Sequence, residues 1–126
     1  MTDGGGIGVL VTGAGSNLQA LIDAGVPIAA VASNVAGVIA LRRAASVGAP
    51  TAVFALDAYS DRDSRDAAMA NWLAAHDVGL VVCAGYMHLL RPVFLSRFPG
   101  RVVELDPGGR PCIPRAHPRP AARGAG

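Results

Sequence analysis

Three short stretches of this chain carry residue types that bind or steer charge: Gly13-Ala14-Gly15-Ser16-Asn17, the pair Arg62 and Arg65, and Met87-His88-Leu89-Leu90. In the first, glycines without a Cβ let the backbone approach an anion. The helix predicted to follow adds unpaired N–H groups and the positive end of its dipole, so phosphate is the natural ligand. Leu18 stands where a dinucleotide fingerprint needs a third glycine, and no acid follows about 20 residues on, which disfavours NAD. A tight turn capped by Ser16 or Asn17 explains the same residues equally well.

Arg62 and Arg65 fall at the start of a predicted helix, Asp61 to His76. A cation does nothing for the dipole at that end, so one use is to face a ligand carboxylate. The more ordinary use is a solvated pair with Asp61, Asp63 or Asp66. Met87, Leu89 and Leu90 leave the most apolar run of the chain and suit the wall of a pocket for a flat heterocycle, with His88 as its polar tip. Core packing uses such residues equally well. No second His lies at ligand spacing, and His76, Cys83 and Cys112 do not build a zinc site, so no metal is expected.

These residues need elements to hold them. Ile7 to Thr12 reads as a buried strand, followed by the glycine turn and a helix carrying Leu18, Leu21 and Ile22. Pro27 to Ala32 predicts a second strand, then a helix with Val38, Leu41 and Ala45, and Thr51 to Ala55 a short third strand. Asp61 or Ser60 suits the cap of the next helix. Val78 to Ala84 predicts the fourth strand, and Pro92 the first turn of a short helix running to Phe98. Continuous apolar strands alternating with helices predict an α/β fold, a Rossmann-like, mostly parallel sheet flanked by helices. Ligands of such sheets bind on the rim where the strands end.

Composition narrows the partners. All eleven basic residues are Arg, and the net charge is +2. Four of those Arg lie in the final segment, 107–126, which holds no acid, whereas residues 1–106 have seven basic and nine acidic side chains. The body therefore offers no electrostatic case for nucleic acid or a membrane surface. No apolar stretch approaches the roughly 20 residues of a membrane helix, no signal peptide is visible, and a cytoplasmic setting without a disulfide framework is the expectation.

In order and spacing, these stretches resemble the phosphoribosylglycinamide formyltransferase family. The resemblance runs from Gly8 to about Arg101 and rests on Val9-Leu10-Val11-Thr12-Gly13-Ala14-Gly15-Ser16-Asn17-Leu18, on Val31-Ala32-Ser33-Asn34, and on Ala84-Gly85-Tyr86-Met87 with Leu90, Pro92 and Phe94. It implies transfer of a formyl group from 10-formyltetrahydrofolate to the amine of glycinamide ribonucleotide in purine biosynthesis. It also implies that Gly15, Ser16 and Asn17 bind the substrate phosphate, and that Arg62 and Met87, His88, Leu89 and Leu90 bind the folate. The family usually has Arg at the position of His88.

The resemblance breaks at the family's catalytic motif, where Glu104 stands for an Asn and Asp106 for a His. Ionised carboxylates accept hydrogen bonds but cannot donate them to a developing oxyanion. From Pro107 to Gly126, 17 of 20 residues are Pro, Gly, Arg or Ala, a composition without a helical or strand period, predicting an unpacked tail after a body of residues 1–106. Reading GC-rich codons one base out of frame from Glu104 restores the Asn and the following Pro, but not the His. The expectation is a frame disruption, an impaired enzyme that stops before the family's second half, and self-association through uncovered surfaces. Another formyltetrahydrofolate-dependent hydrolase or transferase, and a non-catalytic phosphate-binding module, are the alternatives.

Overall fold

The computed structural model describes residues 5–105 and 111–114. Five parallel strands form one sheet in the order β3-β2-β1-β4-β5: β1 is Gly6–Val11, β2 Ile28–Ser33, β3 Thr51–Val53, β4 Val78–Cys83 and β5 Val102–Glu104. Between them run α1 (Ser16–Asp23), α2 (Ile39–Ser46), α3 (Arg62–Ala75) and α4 (Pro92–Leu95). A 3₁₀ turn, Leu56–Ala58, precedes α3 and had no signal in the sequence. The predicted α/β class and the strand-helix alternation agree with this architecture.

Alternate residues of β1 serve opposite faces of the sheet. Val9 and Val11 pack with Leu18, Ala40 and Ala44 under α1 and α2. Leu10 joins Met69, Leu73, Tyr86, Phe94 and Phe98 under α3 and α4. Both faces are thus covered, which is why the strands read as unbroken apolar runs. Asp61 caps α3 as expected, accepting the Ser64 N–H at 2.7 Å, and Pro92 sits in the first turn of α4.

The segment after β5 corrects two expectations. Cys112, assigned by its neighbours to an unpacked tail, is 1% exposed, and it forms a disulfide with Cys83 that the sequence reading did not anticipate. Three hydrogen bonds account for this. Cys112 N and Ile113 N donate to Glu104 Oε2 at 2.8 and 3.0 Å, and Leu90 N donates to Cys112 O at 2.7 Å. Together they fold the segment back over the end of β4. Asp106 and the tail residues 107–110 and 115–126 lie outside the described residues.

Candidate functional site

Strand order reverses direction at β1, since the chain winds to β2 and β3 on one side and to β4 and β5 on the other. At the C-terminal ends of β1 and β4, this switch point leaves the crevice where open α/β sheets bind ligands. The glycine turn follows β1 and the Met87–Leu90 stretch follows β4, so the two face each other across that crevice.

The glycine turn is fastened to α2. Gly13 O accepts the Ala40 N–H at 3.1 Å, and Arg43 donates to Ala14 O at 2.9 Å and to Gln19 Oε1 at 3.0 Å. Gly15 is the N-cap of α1 with φ +77° and no side-chain cap. Neither Ser16 nor Asn17 is the cap that the turn reading called for. Both lie in the first turn of α1, where backbone N–H groups lack intrahelical acceptors. Gly15 has its own structural reason: a Cβ there would lie 2.6 Å from Ala40 Cβ.

Across the crevice, Arg62, Met87, His88, Leu89, Arg91 and Pro111 line a cleft of about 650 Å³. Met87 and Leu89 are about half exposed. Leu90, expected on the same wall, is 1% exposed and belongs to the core beneath. Arg91 is drawn aside by an exposed ion pair with Asp63 at 2.7 Å.

Arg65 departs most from its ordinary reading. It is fully buried, with Nε 2.7 Å from Asp66 Oδ1, Nη1 donating to Phe54 O at 3.2 Å and Nη2 3.0 Å from His88 Nδ1. Asp66 is also fully buried and accepts the Arg91 N–H at 2.8 Å through Oδ2. Beside them Tyr86 is 1% exposed, and burial pushes its phenol up to about 12.

Asn34, directly after β2, is the joint of the site. Met87 N donates to Thr12 Oγ1 at 2.9 Å, Thr12 Oγ1 donates to Asn34 Oδ1 at 2.8 Å, and the Asn34 amide nitrogen lies 3.5 Å from His88 Nε2. The ends of β1, β2 and β4 are thereby one polar unit. A polar residue closing an apolar strand was the available signal. Glu104 is turned to another task, its Oε2 accepting from the Cys112 and Ile113 backbone. Among the described residues no cluster of three or more His, Cys, Asp or Glu is placed to hold a metal ion.

A family profile described as "Formyl transferase" matches residues 6–126. The chain is 40% identical over 107 residues to phosphoribosylglycinamide formyltransferase of Haemophilus influenzae, covering 80% of this chain and 50% of that protein. It is 38% identical over 109 residues to the trifunctional purine biosynthetic protein adenosine-3 of Chironomus tentans, covering 80% of this chain and 8% of that protein. Its fold is similar to the crystal structure of glycinamide ribonucleotide transformylase 1 from Symbiobacterium toebii, with a TM-score of 0.76 and 38% identity over 82% of this chain and 52% of that one. The chain thus spans about half the length of these bacterial proteins.

Proposed function

The chain belongs to the formyl transferase family, and from that premise we propose that it binds glycinamide ribonucleotide through Gly15, Ser16 and Asn17 and 10-formyltetrahydrofolate in the cleft of Arg62, Met87, His88 and Leu89, for formyl transfer in purine biosynthesis. One observation carries this reading. The glycine turn and the cleft flank a single switch point and are tied together by the Thr12–Met87 hydrogen bond, so an anion held on one side and a heterocycle on the other would meet over Asn34.

The cleft fits the co-substrate in size and chemistry. About 650 Å³ falls in the range of sites for drug-sized ligands, and half-exposed apolar side chains beside Arg suit a flat ring with an anionic tail. In the family reaction the substrate amine attacks the formyl carbon. A C–N bond forms, negative charge gathers on the formyl oxygen, and the donor nitrogen departs with a proton. Hydrogen-bond donors aimed at that oxygen supply much of the acceleration.

This chain is weak at that step. An ionised Glu104 can only accept, and its Oε2 already serves the Cys112 and Ile113 backbone. The loss of one oxyanion donor costs about 10²–10³ in rate, so binding is expected to outlast turnover. Glu104's engagement also favours a second reading, a phosphate-binding module without catalysis. Exposed Val103 on edge strand β5 and Leu105 just after it support self-association of the isolated chain.

Calorimetric titration with each ligand, paired with a formyl-transfer assay, tests the proposal. The expected result is binding of glycinamide ribonucleotide that Asn17→Ala abolishes, with turnover at least about 10²-fold below an intact relative. Turnover equal to such a relative would overturn the impairment. Ribonucleotide binding without folate binding would select the module, and no ribonucleotide binding would overturn the phosphate site.

A further inference from the structure

We propose that Arg65 is a positioning residue that holds His88 as the neutral imidazole protonated on Nε2, so that the cleft wall presents an uncharged hydrogen-bond donor where the family usually has an arginine. The geometry leaves His88 little choice. A guanidinium has five donors, no acceptor and no accessible neutral form, so Nδ1, 3.0 Å from Arg65 Nη2, must accept. The ring proton then belongs to Nε2.

Arg65 cannot turn away from this task. Its Nε is committed to Asp66 and its Nη1 to Phe54 O, and the group is fully buried. Asp66 is equally fixed, since its second oxygen holds the Arg91 N–H. Each oxygen of that carboxylate already accepts one hydrogen bond, from Arg65 Nε and from the Arg91 N–H. The Tyr86 ring meets the imidazole edge-on at 5.9 Å and 70°, which sets the ring plane.

Among the described residues, the guanidinium nearest His88 argues the same way. Arg65 approaches from α3, while Arg62 and the Asp63-paired Arg91 line the same cleft, so a proton on Nδ1 would point straight at a guanidinium donor. On the far side, the Asn34 amide nitrogen stands 3.5 Å from Nε2. Turned over, that amide accepts from Nε2–H through Oδ1 while Nδ2 donates to Thr12 Oγ1, a hydroxyl able to both donate and accept. The Thr12–Asn34 contact survives the turn with its direction reversed.

The family's charge has in effect been withdrawn one layer behind the surface. A neutral donor selects a neutral acceptor, such as a ring carbonyl, where an exposed guanidinium would favour an anion. This consequence for ligand choice rests on reading the cleft as the folate site; the placement of the proton does not.

Long-range ¹H–¹⁵N correlation spectra of the labelled chain test the proposal, with His88 assigned by its loss in His88→Gln. The expected pattern is a single Nε2–H tautomer that stays neutral at about pH 6.5, where a free imidazole is half protonated. A His88 carrying its proton on Nδ1, or on both nitrogens at that pH, overturns it. Arg65→Met should give mixed tautomers; an unchanged spectrum in that folded variant also overturns it. Titration with 10-formyltetrahydrofolate separates the two readings, because absence of binding with the Nε2–H tautomer in place counts against the folate site alone.

Discussion

The two banks of the crevice are built by different means. On the β1 side, the glycine turn is a local device: seven consecutive residues make a strand end, a left-handed glycine and a helix start, and α2 fastens them through backbone and Arg43 contacts. The β4 side depends on distant parts of the chain, namely a buried ion pair from α3 and a disulfide from beyond β5. The difference teaches where each bank is vulnerable. A local turn fails when its own backbone is obstructed, whereas the far bank fails when any of several remote partners is removed.

The largest effect should come from Asp66→Ala. It leaves the buried Arg65 charge unpaired and strands the Arg91 N–H, at a cost of about 3–5 kcal/mol in urea unfolding. Arg65→Met with Asp66→Leu should recover much of that loss. A double variant as unstable as Asp66→Ala would show that the pair packs irreplaceably, and the contrast between banks would then rest on shape more than charge.

Cys112→Ser comes next. Opening a loop of 29 positions should cost about 3–4 kcal/mol on the chain-entropy account, seen as a lower melting temperature. Amide chemical shifts of the Gly13–Asn17 turn should stay in place while those near Pro111 move. Matching shifts on both sides would mean that the banks are not independent.

Gly15→Ala attacks the local device. A Cβ at φ +77°, 2.6 Å from Ala40 Cβ and 2.9 Å from Ala40 Cα, should cost about 2–4 kcal/mol from the left-handed backbone and overpacking together. Adding Ala40→Gly removes only the side-chain clash, so partial rescue is expected. Full rescue would assign the whole penalty to packing.

Alkaline pH gives the smallest and most gradual effect. Desolvation raises Tyr86 from 10.0 to about 12 in the fold. The neutral phenol is favoured when folded, so the associated stability is complete below pH 10 and is lost as pH rises toward 12. The total is on the order of 2–3 kcal/mol. Phenol absorbance followed alongside unfolding should show this Tyr ionising with loss of structure; ionisation in an intact fold would contradict its burial.

Legibility in the sequence divides along the same line as the two banks. Unbroken apolar runs placed β1, β2 and β4 to within about a residue, and Asp61 and Pro92 marked helix starts by chemistry that acts within one turn. Ser16 and Asn17 misled as caps because the choice of Gly15 is made by Ala40, 25 positions away. The Arg65–Asp66 pair was legible, but it looked solvated because the other acceptors of Arg65, the Phe54 carbonyl and His88, lie outside helical reach. Leu90 looked like cleft wall because nothing nearby announces that its N–H is taken by Cys112. Pairings across folded distance leave no periodic trace, and on the β4 bank they decide nearly everything.

The Cys83–Cys112 bridge also makes a closed ring of the segment that carries the cleft wall. A protease that cuts once between those cysteines, for instance after the exposed Arg97, would therefore release nothing. The two pieces would migrate together until a reductant parts them, so nicked and intact chains would be indistinguishable by mobility without one.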